Sequence, residues 1–204
     1  MQSNSLPSEE NVNRVMAALK ERHIEPELVA GRQAALERLV QLIPAGASVM
    51  TGSSITLEEI GFVDMLISGD HPWENLKAGI IAEKDPVREV ELRRRSTLAD
   101  YFLGSAHAIT ENGIVLIASA SGSQLPAYAY CSANVIWVAG AHKIVPDLDT
   151  AFRRVREYVF PLEDEHMKSM GAEGSNFGKW LIFERETSSL RRVRMILVNE
   201  KLGF

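Results

Sequence analysis

One cysteine, Cys131, is all that the 204 residues contain. No internal disulfide and no cysteine-built metal cluster can form from it. A lone thiol fits a reducing compartment, and with no His-Asp pattern around it Cys131 reads as a small packing residue. Positive charge is also in short supply: 22 Lys and Arg stand against 27 Asp and Glu, a net charge of −5. That balance argues against nucleic acid or an anionic membrane as a partner. No apolar run approaches the roughly 20 residues that a spanning helix needs. The segment 1–20 has no apolar core of a secretory signal either. A cytoplasmic protein is the expectation.

What is present suffices for one core. Hydrophobic residues make up 46% and charged residues 24%, ordinary for a globular chain. A loose segment 1–7 is expected, then one α/β domain over 8–204. Ser8 followed by Glu9 and Glu10 predicts a helix start. A second helix is expected from about residue 26, with Leu36, Leu39, Val40 and Ile43 at helical spacing. Leu57, Ile60, Val63 and Ile67 mark another. Gly61 within it either breaks the helix or lets it pack closely. Asp85-Pro86 fits the cap and first turn of a long helix. Asn112-Gly113, between apolar stretches at 107–110 and 114–118, predicts a hairpin whose two turn residues both take positive φ. Residues 134–139 read as a buried strand. After Pro146, Leu148, Phe152, Val155 and Val159 step along one helical face, and late strands are expected near 181–183 and 195–198. Alternating strands and helices predict a three-layer α/β fold, with a mainly parallel, mixed sheet and helices on both faces.

The most telling local motif is Ala47-Ser48-Val49-Met50-Thr51-Gly52-Ser53-Ser54-Ile55-Thr56. An apolar strand runs into a Gly/Ser turn and a helix start, which offers N–H groups and hydroxyls to a small anion. No Lys follows the glycine, so it is not a P-loop, and the three-glycine dinucleotide spacing is absent. A second Gly/Ser turn spans 119–126, and His142-Lys143 follows the 134–139 strand. In such folds ligands bind beyond the carboxyl ends of the strands. The candidate anion-binding residues are therefore Gly52, Ser53, Ser54, Thr56, Gly113, Ser123, Gln124, His142 and Lys143. Capping alone also accounts for the Ser and Thr residues, and pairing with a surface acid is the alternative for Lys143. His107 reads as a packing histidine, and 163–166 as a solvated helix face. Arg154 or Arg156 either faces water or reaches an anion. No metal site is expected.

Several pieces resemble the LUD-domain family of the lactate-utilisation protein C type. They are the 52–61 turn and helix, Asp100-Tyr101-Phe102 and Ala108-Ile109-Thr110-Glu111-Asn112-Gly113. Val138-Ala139-Gly140-Ala141-His142-Lys143-Ile144-Val145, Ala151-Phe152-Arg153-Arg154-Val155-Arg156 and the tail Leu197–Phe204 complete the set. The similarity runs from about residue 10 to the end. It implies a fold like that of the glucosamine-phosphate isomerase, ribose-phosphate isomerase and CoA-transferase group. It also implies a part in L-lactate oxidation beside iron–sulfur partner proteins. Two departures stand out. Residues 170–178 hold no cysteine where many relatives carry a cluster, and the 119–126 loop lacks the Asp-Gly and Asn-Arg pairs that relatives often have.

Thr110-Glu111-Asn112-Gly113 is similar to the Ser-Glu-Asn-Gly turn of CoA-transferases, whose glutamate attacks an acyl-CoA. Glu111 is accordingly the catalytic candidate. Three readings stay open. One is a binder of a small anionic metabolite that acts with oxidation partners, with Glu111 and Gln124 on the wall opposite Lys143. Another is an acyl-CoA-dependent transferase or sugar-phosphate isomerase using Glu111. The third is a non-catalytic assembly subunit. The cofactor is unknown, and a homo-oligomer is compatible with all three.

Overall fold

Local chemistry sets the first elements. In the computed structural model, which describes residues 5–204, Ser8 caps α1 (Glu9–Glu21) by accepting the Asn11 N–H at 3.2 Å. Residues 1–4 of the segment expected to be loose lie outside the described residues. Next come β1 (Ile24–Val29), α2 (Arg32–Leu42) and β2 (Ser48–Thr51). Pro26 thus lies in a strand and not in a helix. It is tolerated there because β1 is an edge strand, paired with one neighbour only, where a missing N–H leaves no ladder bond unmade. The helix expected over 57–67 is split into α3 (Ile55–Glu59) and α4 (Phe62–Ser68) by Gly61 at φ 81°.

β3 (Glu74–Asn75) and α5 (Leu76–Ala82) carried no periodic signal in the sequence. α6 (Pro86–Arg95) is capped by Asp85, which accepts the Val87 N–H at 2.9 Å. β4 (Tyr101–Gly104), β5 (Ala108–Thr110) and β6 (Val115–Ser119) follow, then a π-helical turn at Ala127–Cys131 and β7 (Asn134–Gly140). A 3-10 turn, Ala141–Lys143, leads into β8 (Ile144–Val145). α7 (Leu148–Arg154) and α8 (Phe160–Ser169) form one continuous helix through a π-helical turn at Val155–Val159. β9 (Lys179–Phe183) and β10 (Arg192–Val198) complete the set.

The main sheet has six strands in the order β1-β10-β7-β4-β2-β3, all parallel. The antiparallel element sits in a sheet of its own, β8-β5-β6-β9. The α/β class with helices on both faces is as expected, and the second sheet adds to the layering. Side chains of β10 alternate between two cores. Met195 and Leu197 join α1 and the inner face of the second sheet, while Ile196 and Val198 join α2, α3 and α4. The far face of the second sheet packs on α7 through Ala151 and on the π-helical turn that follows through Val155.

The β5–β6 hairpin differs from its expected form. Only Gly113 has positive φ, at 84°, and Asn112 does not. Gly113 N–H bonds Thr110 O at 2.8 Å, and Thr110 N–H bonds Ile114 O at 2.9 Å. The loop is therefore three residues long, a turn closed by a left-handed glycine, which suits strand twist as well as a two-residue loop does.

Candidate functional site

β2 ends at Thr51 and the chain leaves through Gly52-Ser53-Ser54, with the Ser54 hydroxyl accepting the Leu57 N–H at 3.3 Å. β6 leaves through residues 119–124. These two turns meet at one cleft of about 610 Å³ that both line. They touch: a Cβ on Gly52 would stand 1.8 Å from Gln124 Oε1. Ser53, Ser54, Ser123 and Gln124 are thus brought together, whereas the third strand-end loop, 140–143, does not line this cleft.

Further walls come from distant segments. α5 and α6 supply Lys77 and Arg93, and α8 supplies Glu163 and His166. Lys77 Nζ donates to Thr51 Oγ1 at 3.3 Å and to Gly52 O at 3.4 Å. Burial pulls its pKa below the usual lysine value, against the pull of Glu58. Burial raises the Glu163 carboxyl; His166 opposes this and Glu58 adds to it. None of these four was singled out as a ligand residue in the sequence. The Glu163–His166 spacing was visible there, but helical spacing alone cannot tell a solvated face from a cleft wall. His107 lies at the floor of the cleft. Among the described residues, no group of three or more His, Cys, Asp or Glu is placed to hold a metal ion.

Thr56, His142 and Lys143 do not line the cleft. Lys143 is 2% exposed, and its Nζ donates to Thr56 Oγ1 at 3.0 Å and Ser105 Oγ at 3.2 Å. Burial, with Arg154 nearby, pushes the amine down to about 7, while Glu59 pulls the other way. Lys143 thus neither lines the cleft, as its candidate ligand role required, nor pairs with a surface acid; it is held by two hydroxyls. His142 is buried too, and burial followed by Lys143 and Arg154 holds it down to about 3. Gly203 crosses above them and donates its N–H to Glu59 Oε2 at 2.7 Å.

Glu111 and Gly113 are not part of this assembly. They form the turn of the β5–β6 hairpin, and the cleft is lined by the hairpin's open end, at His107 and Ala118. The Glu111 carboxylate accepts from Asn11 Nδ2 at 3.0 Å and Arg14 Nη1 at 3.1 Å, both on α1. Glu111 therefore does not share a wall with Gln124; that expectation is corrected by the direction in which the hairpin points.

The family model of the LUD domain matches residues 12–172. The chain belongs to the LUD-domain family. A DUF162 family protein from Deinococcus radiodurans is similar in structure, with TM-score 0.56 at 12% identity, over 96% of this chain and 100% of that one. At that identity the likeness is one of fold. The eIF2B beta structure from Chaetomium thermophilum matches at TM-score 0.29 and 16% identity, over 69% of this chain and 44% of that one. No curated protein matches this chain. No helix of the described residues is long and apolar enough to cross a membrane.

Proposed function

We propose that this LUD domain binds a small anionic metabolite in the cleft between the Gly52-Ser53-Ser54 turn and the 119–124 loop. It would serve organic-acid oxidation of the L-lactate type beside iron–sulfur partner proteins. One observation supports the binding site above the others: two Gly/Ser turns meet at one cleft, with Lys77 and Arg93 facing it. The first turn leaves the carboxyl end of a parallel strand, where α/β sheets hold their ligands. The oxidative context rests on family membership. Acyl transfer at Glu111 gains no support from this geometry, because its carboxylate is engaged by α1.

The test is a thermal-shift series with pyruvate, L-lactate, a sugar phosphate and a CoA ester. At 100 times its dissociation constant a ligand should raise Tm by roughly 5–10 °C for a chain of this size. Lys77→Met should abolish most of that shift. A flat response to all four classes would overturn the reading and favour an assembly subunit.

A further inference from the structure

His107 opens the β5–β6 hairpin at the floor of the cleft. Its backbone N–H bonds Leu116 O at 3.1 Å, and its ring Nδ1 lies 3.3 Å from the Ala118 backbone N–H. A backbone N–H only donates, so Nδ1 accepts and is bare of a proton; the hydrogen of the neutral ring sits on Nε2. Protonating Nδ1 would break the bond to Ala118. Burial, then the nearby Lys143 and Arg154, also disfavour the charged ring and hold it down to about 3. His107 is thus a fixed N–H donor in its neutral form.

What stands behind the ring is unusual. Lys143 and Arg154 are 2% and 6% exposed. Lys143 Nζ bonds only hydroxyls, and Arg154 Nη1 is buried without a partner. Arg154 rests over the Tyr158 ring, 5.0 Å from its centre. The acid that acts on Lys143, Glu59, takes up the Gly203 N–H. Buried cations with so little compensation are costly. Both act electrostatically on the His107 ring, in a medium where charges are poorly screened. The walls carry both signs, Lys77 and Arg93 with Glu58 and Glu163. That mixture suits a singly charged carboxylate better than a phosphate dianion.

Building on the cleft reading above, we propose that His107 Nε2–H donates to the negatively charged oxygen of a small oxo- or hydroxy-carboxylate bound in the cleft. A neutral imidazole serves well here, because it polarises the oxygen without handing over its proton.

The test uses the full chain, ¹⁵N-labelled at histidine, with pyruvate as probe and inorganic phosphate as comparison. The His107 ring should show the Nε2–H tautomer, should not titrate between pH 5 and 8, and should shift at Nε2 on adding pyruvate. His107→Phe should weaken pyruvate binding about tenfold or more. His107→Gln keeps an N–H donor and should lose less. An Nδ1–H tautomer, a titration within that range, or unchanged pyruvate affinity in His107→Phe would overturn the proposal. Pyruvate binding, read by thermal shift, that leaves the His107 ring signals unmoved would overturn it as well and leave the cleft reading standing. Binding of phosphate without pyruvate would overturn the carboxylate assignment alone, and no response to either would overturn both readings.

Discussion

Lys143 carries an ammonium group that the fold has removed from water without supplying an acid to meet it. Its folded pKa is pushed down to about 7, whereas an unfolded lysine sits near ~10.4. Between those values the unfolded chain holds a proton that the folded chain has released. Stability therefore rises as pH climbs from about 7 to about 10.4, by up to roughly 1.4 kcal/mol per unit. Below 7 both states are protonated and the full cost of burying the charge remains. Lys143→Met keeps the volume and removes the charge. The Thr56 and Ser105 hydroxyls, already bonded to each other at 3.2 Å, keep that partner. This variant is expected to be more stable than the parent at pH 6 by about 1–3 kcal/mol. The gap should shrink by pH 10, as read by urea unfolding at both pH values. A variant less stable at pH 6 would show that the two lost hydroxyl bonds outweigh the charge.

Among the elements, the β5–β6 hairpin has two ends with separate tasks. Its open end forms the cleft floor, and its turn packs on α1. Gly113 needs its φ of 84°, and a Cβ there would stand 2.9 Å from the Ala18 backbone carbon. Gly113→Ala meets both penalties and should cost about 2 kcal/mol or more, seen as a lower urea midpoint with unchanged slope. A shift under about 0.5 kcal/mol would mean that α1 moves to make room. The same hairpin shows what a sequence can convey. Ser8 and Asp85 announced their caps, and Asn112-Gly113 the hairpin though not its three-residue loop, because caps and turns are decided within a few residues. Gly61 left two outcomes open, of which the break is the one formed. Pro26 misled, because whether a strand lies at an edge depends on partners far along the chain. Two cleft turns were legible, since a Gly/Ser turn after an apolar strand is a local pattern. Lys77, Arg93, Glu163 and His166 were not, because they arrive from three helices whose meeting only tertiary packing decides. Lys143 was singled out for exposure to a ligand and is buried instead, since burial is not encoded by the two residues beside it.

At the scale of the molecule, β10 lies between β1 and β7 in the main sheet. β1 pairs with no other strand there; its register runs from Ile24 opposite Val193 to Val29 opposite Val198. A chain ending at residue 191 should therefore leave β1 without a neighbour. Limited proteolysis within 24–29 is expected to be at least about tenfold faster than in the whole protein, since cleavage follows local opening. Equal rates would show that β1 is held by α1 and α2 alone. The arrangement also sets a timetable. During synthesis at about 5–20 residues per second, Ile24 emerges roughly 10–30 s before Val193 exists to receive it. For the last roughly 3–10 s of that interval, once Gly140 has emerged, β7 offers a bare parallel edge, a template that any extended segment can occupy. The protein's most exposed moment in the cell is then set by translation speed, and slowing the ribosome over its final third would prolong it.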